Sequence, residues 1–234
     1  MTGNRPYTQG GRKTVVTGHY GSGKTEFAVS LAMLLSEETD HKLAMIDLDI
    51  VNPYFRSREK RDVLAEAGIP VFGSVFDKEV TAEIPALGAD VRAPLEDETC
   101  RVIIDAGGND SGALALNQFI KYLTDDETTV LAVVNANRPE TRGLDGALTH
   151  IAAIENATGL MVAGIVNNCH LIRETTAETI KKGHLLCREI CDATGKKLWC
   201  DCYPAGIVDP EELLCFSDDL MPLGLYMRPT WLDI

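Results

Sequence analysis

The sequence lacks a long apolar segment. None of the apolar runs in its 234 residues approaches the length of a membrane span, which needs roughly 18–20 residues. The polar residues 1–12 also lack the apolar core of a secretory signal. The seven cysteines are an odd number in a chain without an export signal, which predicts reduced thiols rather than a disulfide framework. These absences predict a cytoplasmic protein without a stable membrane anchor.

Positive charge is scarce as well. The formal net charge is −13 and the sequence pI is about 4.8, so the average surface repels the phosphates of nucleic acids and of anionic lipids. Basic residues cluster weakly at residues 56–61, but acidic residues surround them, which is typical of a solvated helix face. We therefore expect no nucleic-acid partner.

The chain also lacks an internal linker, a repeat and a low-complexity tract. Its length lies within the range that one α/β domain occupies. We therefore predict a mobile N-terminal tail over residues 1–12 and a single domain over residues 13–234.

Short apolar runs alternate with amphipathic segments along the chain. Strands are predicted near residues 14–17, 43–46, 71–72, 100–104, 129–134, 161–166 and 197–200, and helices near residues 26–35, 57–67, 113–123, 142–155 and 176–191. This alternation predicts an α/β fold, with a mostly parallel β-sheet flanked by helices on both faces. Ligands of such sheets bind at the carboxyl ends of the strands.

Residues 18–25 match the pattern G-x-x-x-x-G-K-[ST] between a predicted strand and a predicted helix. Glycines let consecutive backbone N–H groups curl around phosphate oxygens, and the helix N-terminus adds positive potential. Lys24 would neutralise the terminal phosphates, and Thr25 would ligate Mg²⁺. This segment predicts a P-loop NTPase fold that binds a nucleotide with magnesium. Its predicted nucleotide contacts are Gly18, His19, Tyr20, Gly21, Ser22, Gly23, Lys24, Thr25 and Glu26.

Two acidic strand ends should reach the same edge of the sheet as the glycine-rich loop. Asp47 and Asp49 follow the second strand, and Asp105 ends an apolar strand before Gly107 and Gly108. Asp105 is placed to support magnesium, and the two glycines would let the backbone approach a γ-phosphate. Asp47 and Asp49 would orient a water molecule or hold a metal-bound water. We therefore predict catalytic roles for Lys24, Asp47 and Asp49 and a magnesium role for Thr25 and Asp105.

These segments, with Asn52-Pro53 and the run 164–168, resemble the MinD/ParA group of P-loop ATPases, within the class that also includes nitrogenase iron protein and metal-insertion ATPases. The resemblance spans most of the chain. It implies that Asp47 helps to activate the attacking water, that Asp105 supports magnesium and that Asn168 contacts adenine. It also implies a homodimer, in which Asn52, Arg56, Arg58, Gly107 and Gly108 belong to nucleotide-sensitive switch segments.

One position departs from that family. The lysine that usually lies early in the loop and reaches the partner's nucleotide is replaced by His19. A shorter, mostly neutral side chain is not equivalent to a cationic finger. Arg56, Arg58 and Arg142 are candidates to supply the missing charge.

The segment that would read the base favours ATP over GTP. Residues 167–170 are Asn167-Asn168-Cys169-His170, where a guanine reader of the related GTPase kind would show Asn-Lys-x-Asp. Asn168 can both donate to and accept from adenine. Pro204, in a loop that resembles the family's adenine-side loop, and Asn167 complete the predicted base contacts.

The cysteines leave one metal hypothesis open. The spacing of Cys200 and Cys202 would suit a soft metal, with His184, Cys187 and Cys191 at helical spacing as further ligands. The same helical face includes Ile180, so buried structural thiols are the favoured interpretation.

The leading functional hypothesis is an ATPase that acts as a nucleotide-controlled switch on an unidentified protein partner. Three alternatives remain open. The first is a P-loop kinase or ATP-dependent ligase that acts on a small molecule. The others are a metal-insertion ATPase and a nucleotide-binding module with negligible turnover.

Overall fold

The computed structural model describes residues 6–38, 41–49, 60–73, 91–108 and 110–227. Eight strands form one sheet in which every neighbouring pair runs parallel. They are β1 (Lys13–Thr17), β2 (Lys42–Leu48), β3 (Val71–Gly73), β4 (Cys100–Ala106), β5 (Thr128–Val134), β6 (Gly164–Asn167), β7 (Lys197–Pro204) and β8 (Leu220–Leu223). The order across the sheet is β3-β2-β4-β1-β5-β6-β7-β8.

Six α-helices occur in this part of the chain. They are α1 (Lys24–Glu38), α2 (Arg61–Glu66), α3 (Arg92–Glu96), α4 (Asp110–Asn117), α5 (Leu144–Thr158) and α6 (Ala177–Thr194). Short 3-10 helices cover Pro6–Thr8, Ile120–Tyr122, Ile172–Glu174 and Pro210–Glu212. Across the described ranges, no helix combines the length and the apolar character needed to cross a bilayer.

Successive strand residues point to opposite faces of the sheet, and both faces are covered. One apolar layer joins Val16 of β1 to Phe27 of α1. The other joins Val15 to Ile151 of α5 and Ile190 of α6. The sequence of a strand that is buried on both faces is a continuous apolar run. Such runs led to the prediction of an α/β architecture, and the structure confirms it.

The element boundaries differ from the prediction where local signals are weak. The predicted strand at residues 161–166 lies later, at β6, and the predicted helix at residues 113–123 ends at Asn117 before a separate 3-10 turn. The sequence missed β8, which contains Pro222. A proline lacks the N–H that a central strand needs, and β8 tolerates it because it lies at the edge of the sheet.

Part of the predicted mobile tail is packed against the domain. Tyr7 is buried in the same apolar layer as Phe27, and the Arg101 guanidinium donates to the carbonyl oxygens of Thr8 and Gly10 at 3.2 and 3.4 Å. Residues 6–12 therefore lie against the sheet, which the polar composition of this segment did not reveal. A single domain over residues 13–234 remains a prediction.

Gly183 sets the distance between α6 and the sheet. A Cβ atom at this position would overlap Oδ1 of Asn167 and the side chain of Cys169. We predict that Gly183→Ala forces α6 away from the sheet and lowers the free energy of unfolding by about 1–3 kcal/mol, the usual cost of overpacking. Urea denaturation measures the change. Lys182→Ala, at the exposed neighbouring position, should stay within about 0.5 kcal/mol of the wild type. Equal stability of Gly183→Ala and wild type would contradict this account.

Candidate functional site

The glycine-rich loop connects β1 to α1 at the carboxyl edge of the sheet. Gly18, Gly21 and Gly23 have φ angles of 150°, 74° and 85°, a region that favours glycine because it has no Cβ. A side chain at Gly18 would overlap the carbonyl oxygen of Val133, and one at Gly23 would overlap the Asn168 amide. The glycines of the pattern therefore serve both the curved backbone and its close packing.

Asn168 fixes the orientation of this loop. Its Nδ2 donates to the carbonyl oxygen of Ser22 at 2.8 Å and to that of Gly23 at 3.3 Å. In a trans peptide the N–H points away from the carbonyl, so the amides of Gly23 and Lys24 face away from Asn168. The buried Oδ1 of Asn168 has no hydrogen-bond partner among the described residues, which leaves an acceptor for a ligand.

Thr25 and Asp105 meet where the sequence predicted magnesium. The Thr25 hydroxyl donates to Oδ2 of Asp105 at 2.7 Å, while the buried Oδ1 of Asp105 has no partner in the described part of the chain. Burial raises the pKa of Asp105, and Asp47 raises it further, while Lys24 and the Thr25 hydrogen bond oppose the shift. A buried carboxylate oxygen without a donor suits a cation or its bound water.

Magnesium prefers six oxygen ligands and keeps several waters, with one or two protein oxygens and substrate phosphates completing its shell. The Thr25 hydroxyl and the Asp105 carboxylate provide such oxygens. The described residues contain no group of three or more His, Cys, Asp or Glu side chains that could hold a metal by themselves. The oxygen atoms present therefore fit magnesium that arrives with a nucleotide.

The other two predicted catalytic carboxylates also lie at the loop. Lys24 Nζ is 3.6 Å from Oδ2 of Asp49, and both side chains are almost fully buried. The backbone N–H of Asp49 donates to Oδ1 of Asp47 at 3.1 Å. Asp47 aligns with Asp105 in the pairing of β2 with β4, so the parallel register places these acids side by side.

The glycines after β4 approach the first glycine of the loop. A Cβ atom at Gly108 would overlap the carbonyl oxygen of Gly18 and lie 3.3 Å from Nε2 of His150. No other residue type fits there without moving one of the two loops. The segment after Asp105 is therefore in contact with the glycine-rich loop, as its predicted switch role requires. Asn52, Arg56 and Arg58 lie outside the described residues.

Two predicted contacts have their side chains engaged elsewhere. The Glu26 carboxylate accepts from the backbone N–H groups of Tyr226 and Met227 at 2.9 and 2.8 Å, and burial raises its pKa against these bonds. The Asn167 amide donates to Asp201 at 2.6 Å and to the Ile180 carbonyl at 3.0 Å. The structure therefore does not bring these two side chains to the loop.

Tyr20, Pro204 and His19 are the remaining predicted contacts in this part of the chain, and Pro204 is buried. Tyr20 is 60% exposed, and Pro204 ends β7, where its carbonyl oxygen accepts from the amides of Ile207 and Val208. Nδ1 of His19 lies 2.9 Å from the Tyr20 carbonyl oxygen.

Three residues at the loop were missed by the sequence analysis. Arg138 donates from Nε to the Gly21 carbonyl at 2.6 Å. His150 lies edge-on to His19 with a ring-centroid distance of 5.2 Å. The pKa of His150 is lowered to about 4, mainly by burial and secondly by the nearby His19. His170 lies near Gly23. A signal was available for Arg138, because the polar residues Asn135, Asn137 and Arg138 follow β5 at the same carboxyl edge.

The cysteines of the metal hypothesis are core residues. Cys200 and Cys202 are fully buried within one apolar layer. Burial raises the pKa of Cys202 and of Cys187, which favours the neutral thiol over the metal-binding thiolate. His184, another proposed ligand, is held through Nδ1 by Asp201 at 2.8 Å. Buried thiols agree with the favoured interpretation of these residues.

The parallel sheet and the glycine-rich loop with Lys24, Thr25 and Asp105 define a P-loop NTPase fold. Solved structures of other proteins have a similar fold. Chloroplast FtsY from Physcomitrella patens has a TM-score of 0.57 and 19% identity, over 92% of this chain and 66% of FtsY. The cell division protein FtsY from Thermotoga maritima has a TM-score of 0.55 and 18% identity, over 85% and 64%.

The signal recognition particle 54 kDa protein from Aeropyrum pernix, solved with GDP, has a TM-score of 0.50 and 18% identity, over 80% of this chain and 40% of its own. No family model matches the sequence, and no curated protein matches it. The chain spans less than two thirds of the length of these structures. The likeness shows the fold alone, which is that of a P-loop NTPase.

The raised pKa of Asp105 gives a prediction for the nucleotide-free protein. A carboxyl whose pKa is higher in the folded state stabilises the fold at low pH, and that contribution is lost as the pH rises from the ordinary value of 3.8 through the folded value. We predict that Asp105→Asn raises the free energy of unfolding at neutral pH by at least about 1 kcal/mol. It should also weaken the pH dependence of stability while abolishing magnesium-dependent nucleotide binding.

Urea denaturation between about pH 5 and pH 8 measures this effect. Asp192→Asn, at an exposed position of α6, is the matched control and should leave the pH dependence unchanged. A less stable Asp105→Asn protein, or an unaltered pH dependence, would show that the buried carboxylate carries no such cost.

Proposed function

We propose that this protein is a magnesium-dependent ATPase that acts as a nucleotide-controlled switch on a protein partner. The observation that carries the proposal is the 2.7 Å hydrogen bond between Thr25 and Asp105, which joins the nucleotide loop to the end of β4, just before Gly107 and Gly108. The Lys24–Asp49 pair provides a second link, to the segment after β2. A change at the phosphates would therefore act on both segments at once.

Each residue of the site has a separate role in the transfer of the phosphoryl group to water. Lys24 and the loop amides hold the β- and γ-phosphates, and Asp47 orients the attacking water. Thr25 and Asp105 would hold magnesium, which would supply positive charge to neutralise the phosphate oxygens. Gly107 and Gly108 would let the backbone approach the γ-phosphate, and Gly108 already lies against the carbonyl oxygen of Gly18.

ATP is the proposed nucleotide. The chain has His170 where a guanine reader would have an aspartate, and burial lowers the pKa of His170 to about 4, with Arg138 as the second cause. A neutral imidazole lacks the two acceptor oxygens that pair with guanine. The unpartnered Oδ1 of Asn168 suits the amino group of adenine. The GDP bound to the 54 kDa protein makes GTP the competitor to test.

A protein partner is supported by apolar side chains at the same edge. Tyr20 of the nucleotide loop is exposed, as are Leu171 and Ile172, which follow His170 near Gly23. Leu114 of α4 is 67% exposed and follows the segment that contains Gly107 and Gly108. Exposed apolar residues near moving loops provide a contact surface. We propose that a homodimer or an unidentified partner uses it, in the cytoplasm and without nucleic acid.

Hydrolysis of ATP and GTP with magnesium tests the proposal. We predict ATP-selective turnover that falls on the order of 100-fold in Lys24→Ala and in Asp47→Ala, because each removes a group that acts on the transition state. The oligomeric state, measured in the same samples by light scattering, should depend on ATP.

Lys42→Ala removes a lysine whose side chain is 72% exposed and should keep wild-type turnover. GTP-selective turnover would contradict the base assignment. Tight ATP binding without turnover would contradict the ATPase and direct the search to a phosphate acceptor. Turnover that survives Lys24→Ala would place the chemistry elsewhere.

A further inference from the structure

Arg138 lies on the tip of the nucleotide loop. Its Nε donates to the Gly21 carbonyl oxygen at 2.6 Å, and a Cβ atom at Gly21 would meet Nε and Cζ at 3.0 and 3.1 Å. The guanidinium group therefore covers the space that a side chain at Gly21 would occupy. Gly21 is the central glycine of the loop that is proposed to surround the phosphates.

A hydrogen-bonded turn after β5 holds Arg138 in place. The Asn135 carbonyl oxygen accepts from the N–H of Arg138 at 3.1 Å and from the Thr141 hydroxyl at 3.0 Å. The Asn135 side chain accepts from the N–H of Asn137 at 2.9 Å, and Asn135 itself is 4% exposed. The backbone around Arg138 is thus anchored at a buried residue, although the arginine side chain is exposed.

The charge of Arg138 is not neutralised by any carboxylate within the described ranges. Its side chain donates one hydrogen bond to the described residues, to the neutral carbonyl of Gly21, and a guanidinium has five N–H donors. Lys24, by contrast, is already paired with Asp49. Arg138 is therefore a positive group at the loop whose charge remains available to an anion.

Position 19 does not offer an equivalent cation. The His19 ring is directed towards the turn after β5 and α5, where Nδ1 lies 4.0 Å from the Glu140 carboxylate and the ring meets His150 edge-on. The same turn that supplies Glu140 to His19 supplies Arg138 to Gly21. The replacement of the family's lysine by histidine thus coincides with an arginine from the same chain at the loop.

We infer that Arg138 is a phosphate-site cation of this protein and that it acts in cis, on the nucleotide bound by its own protomer. The inference rests on the proposed function and specifies its regulation, because a protomer that contains its own cation does not need a second copy for turnover. Dimerisation then transmits the nucleotide state rather than completing the site.

The chemistry explains the need for this charge. Water attacks the γ-phosphorus, a P–O bond forms, and the bond from that phosphorus to the β,γ-bridging oxygen breaks. The nucleoside diphosphate leaves with the electron pair, and the proton of the water passes to the inorganic phosphate product. Negative charge develops on the leaving and γ-phosphate oxygens, where a guanidinium hydrogen-bond donor stabilises the transition state.

The first measurement compares turnover in Arg138→Ala, Arg138→Lys and Arg92→Ala. We expect kcat of Arg138→Ala to fall on the order of 100-fold. Lysine should restore part of the rate because it retains the charge without the planar fork. Arg92→Ala, at an exposed position of α3, should match the wild type. Thermal unfolding checks that each variant folds. Wild-type kcat in Arg138→Ala would overturn the inference.

A mixing experiment separates action in cis from action in trans. Lys24→Ala keeps Arg138 but loses its nucleotide site, whereas Arg138→Ala keeps Lys24. In cis, an equimolar mixture has no more activity than the sum of its components. In trans, a mixed dimer combines an intact loop with a donated arginine, and activity above that sum would overturn the cis assignment.

Equilibrium binding tests Arg138 without relying on hydrolysis. We expect Arg138→Ala to lose at least about tenfold more affinity for a non-hydrolysable ATP analogue than for ADP, because the added γ-phosphate faces the missing charge. An equal loss for both nucleotides would reduce Arg138 to a support for Gly21 and overturn the inference. If Arg138→Ala shows this selective loss of affinity but the wild-type protein does not hydrolyse ATP, the proposed ATPase is refuted while the Arg138 result stands.

Discussion

The carboxyl edge of the sheet depends on one buried charge cluster, formed by Lys24, Asp47, Asp49 and Asp105. Three carboxylates share this space with one ammonium, and burial of unbalanced charge is costly. The cost appears as the raised pKa of Asp105. Such an arrangement is poor for stability and suited to binding, because a nucleotide with its magnesium brings both the anion that Lys24 can hold and the cation that the carboxylates can hold.

Parallel topology is the reason why these groups meet. The ends of β1, β2, β4, β5 and β6 supply, in turn, the glycine-rich loop, the acidic pair, Asp105, Arg138 and Asn168. These segments are far apart in the sequence, but five neighbouring strands carry them to the same edge. The close contacts at Gly18, Gly108 and Gly23 then couple the loops, so that a movement of one loop displaces the others.

Polar residues next to the site also hold the fold together. Glu26 follows the proposed magnesium ligand Thr25 in α1, yet its carboxylate anchors the segment at Tyr226 and Met227. Asn167 precedes Asn168, yet it joins Asp201, which in turn holds His184 of α6. Adjacent residues on a helix or a strand point in different directions, so neighbours of a binding residue need not share its role.

The sequence alone determined the features that depend on local pattern. Alternating apolar segments specified the parallel α/β sheet, the glycine spacing specified the nucleotide loop, and the strand-end position of Asp105 specified its meeting with Thr25. These features are predictable because each arises from residues that are close in the chain or from a rule that governs all parallel sheets.

Only the tertiary structure decided which distant side chains meet. It turned Glu26 and Asn167 to structural partners, packed residues 6–12 against the sheet and placed Arg138 on Gly21. No local pattern encodes these contacts, because each joins groups from separate elements and depends on side-chain direction and on the space that remains after the core is filled.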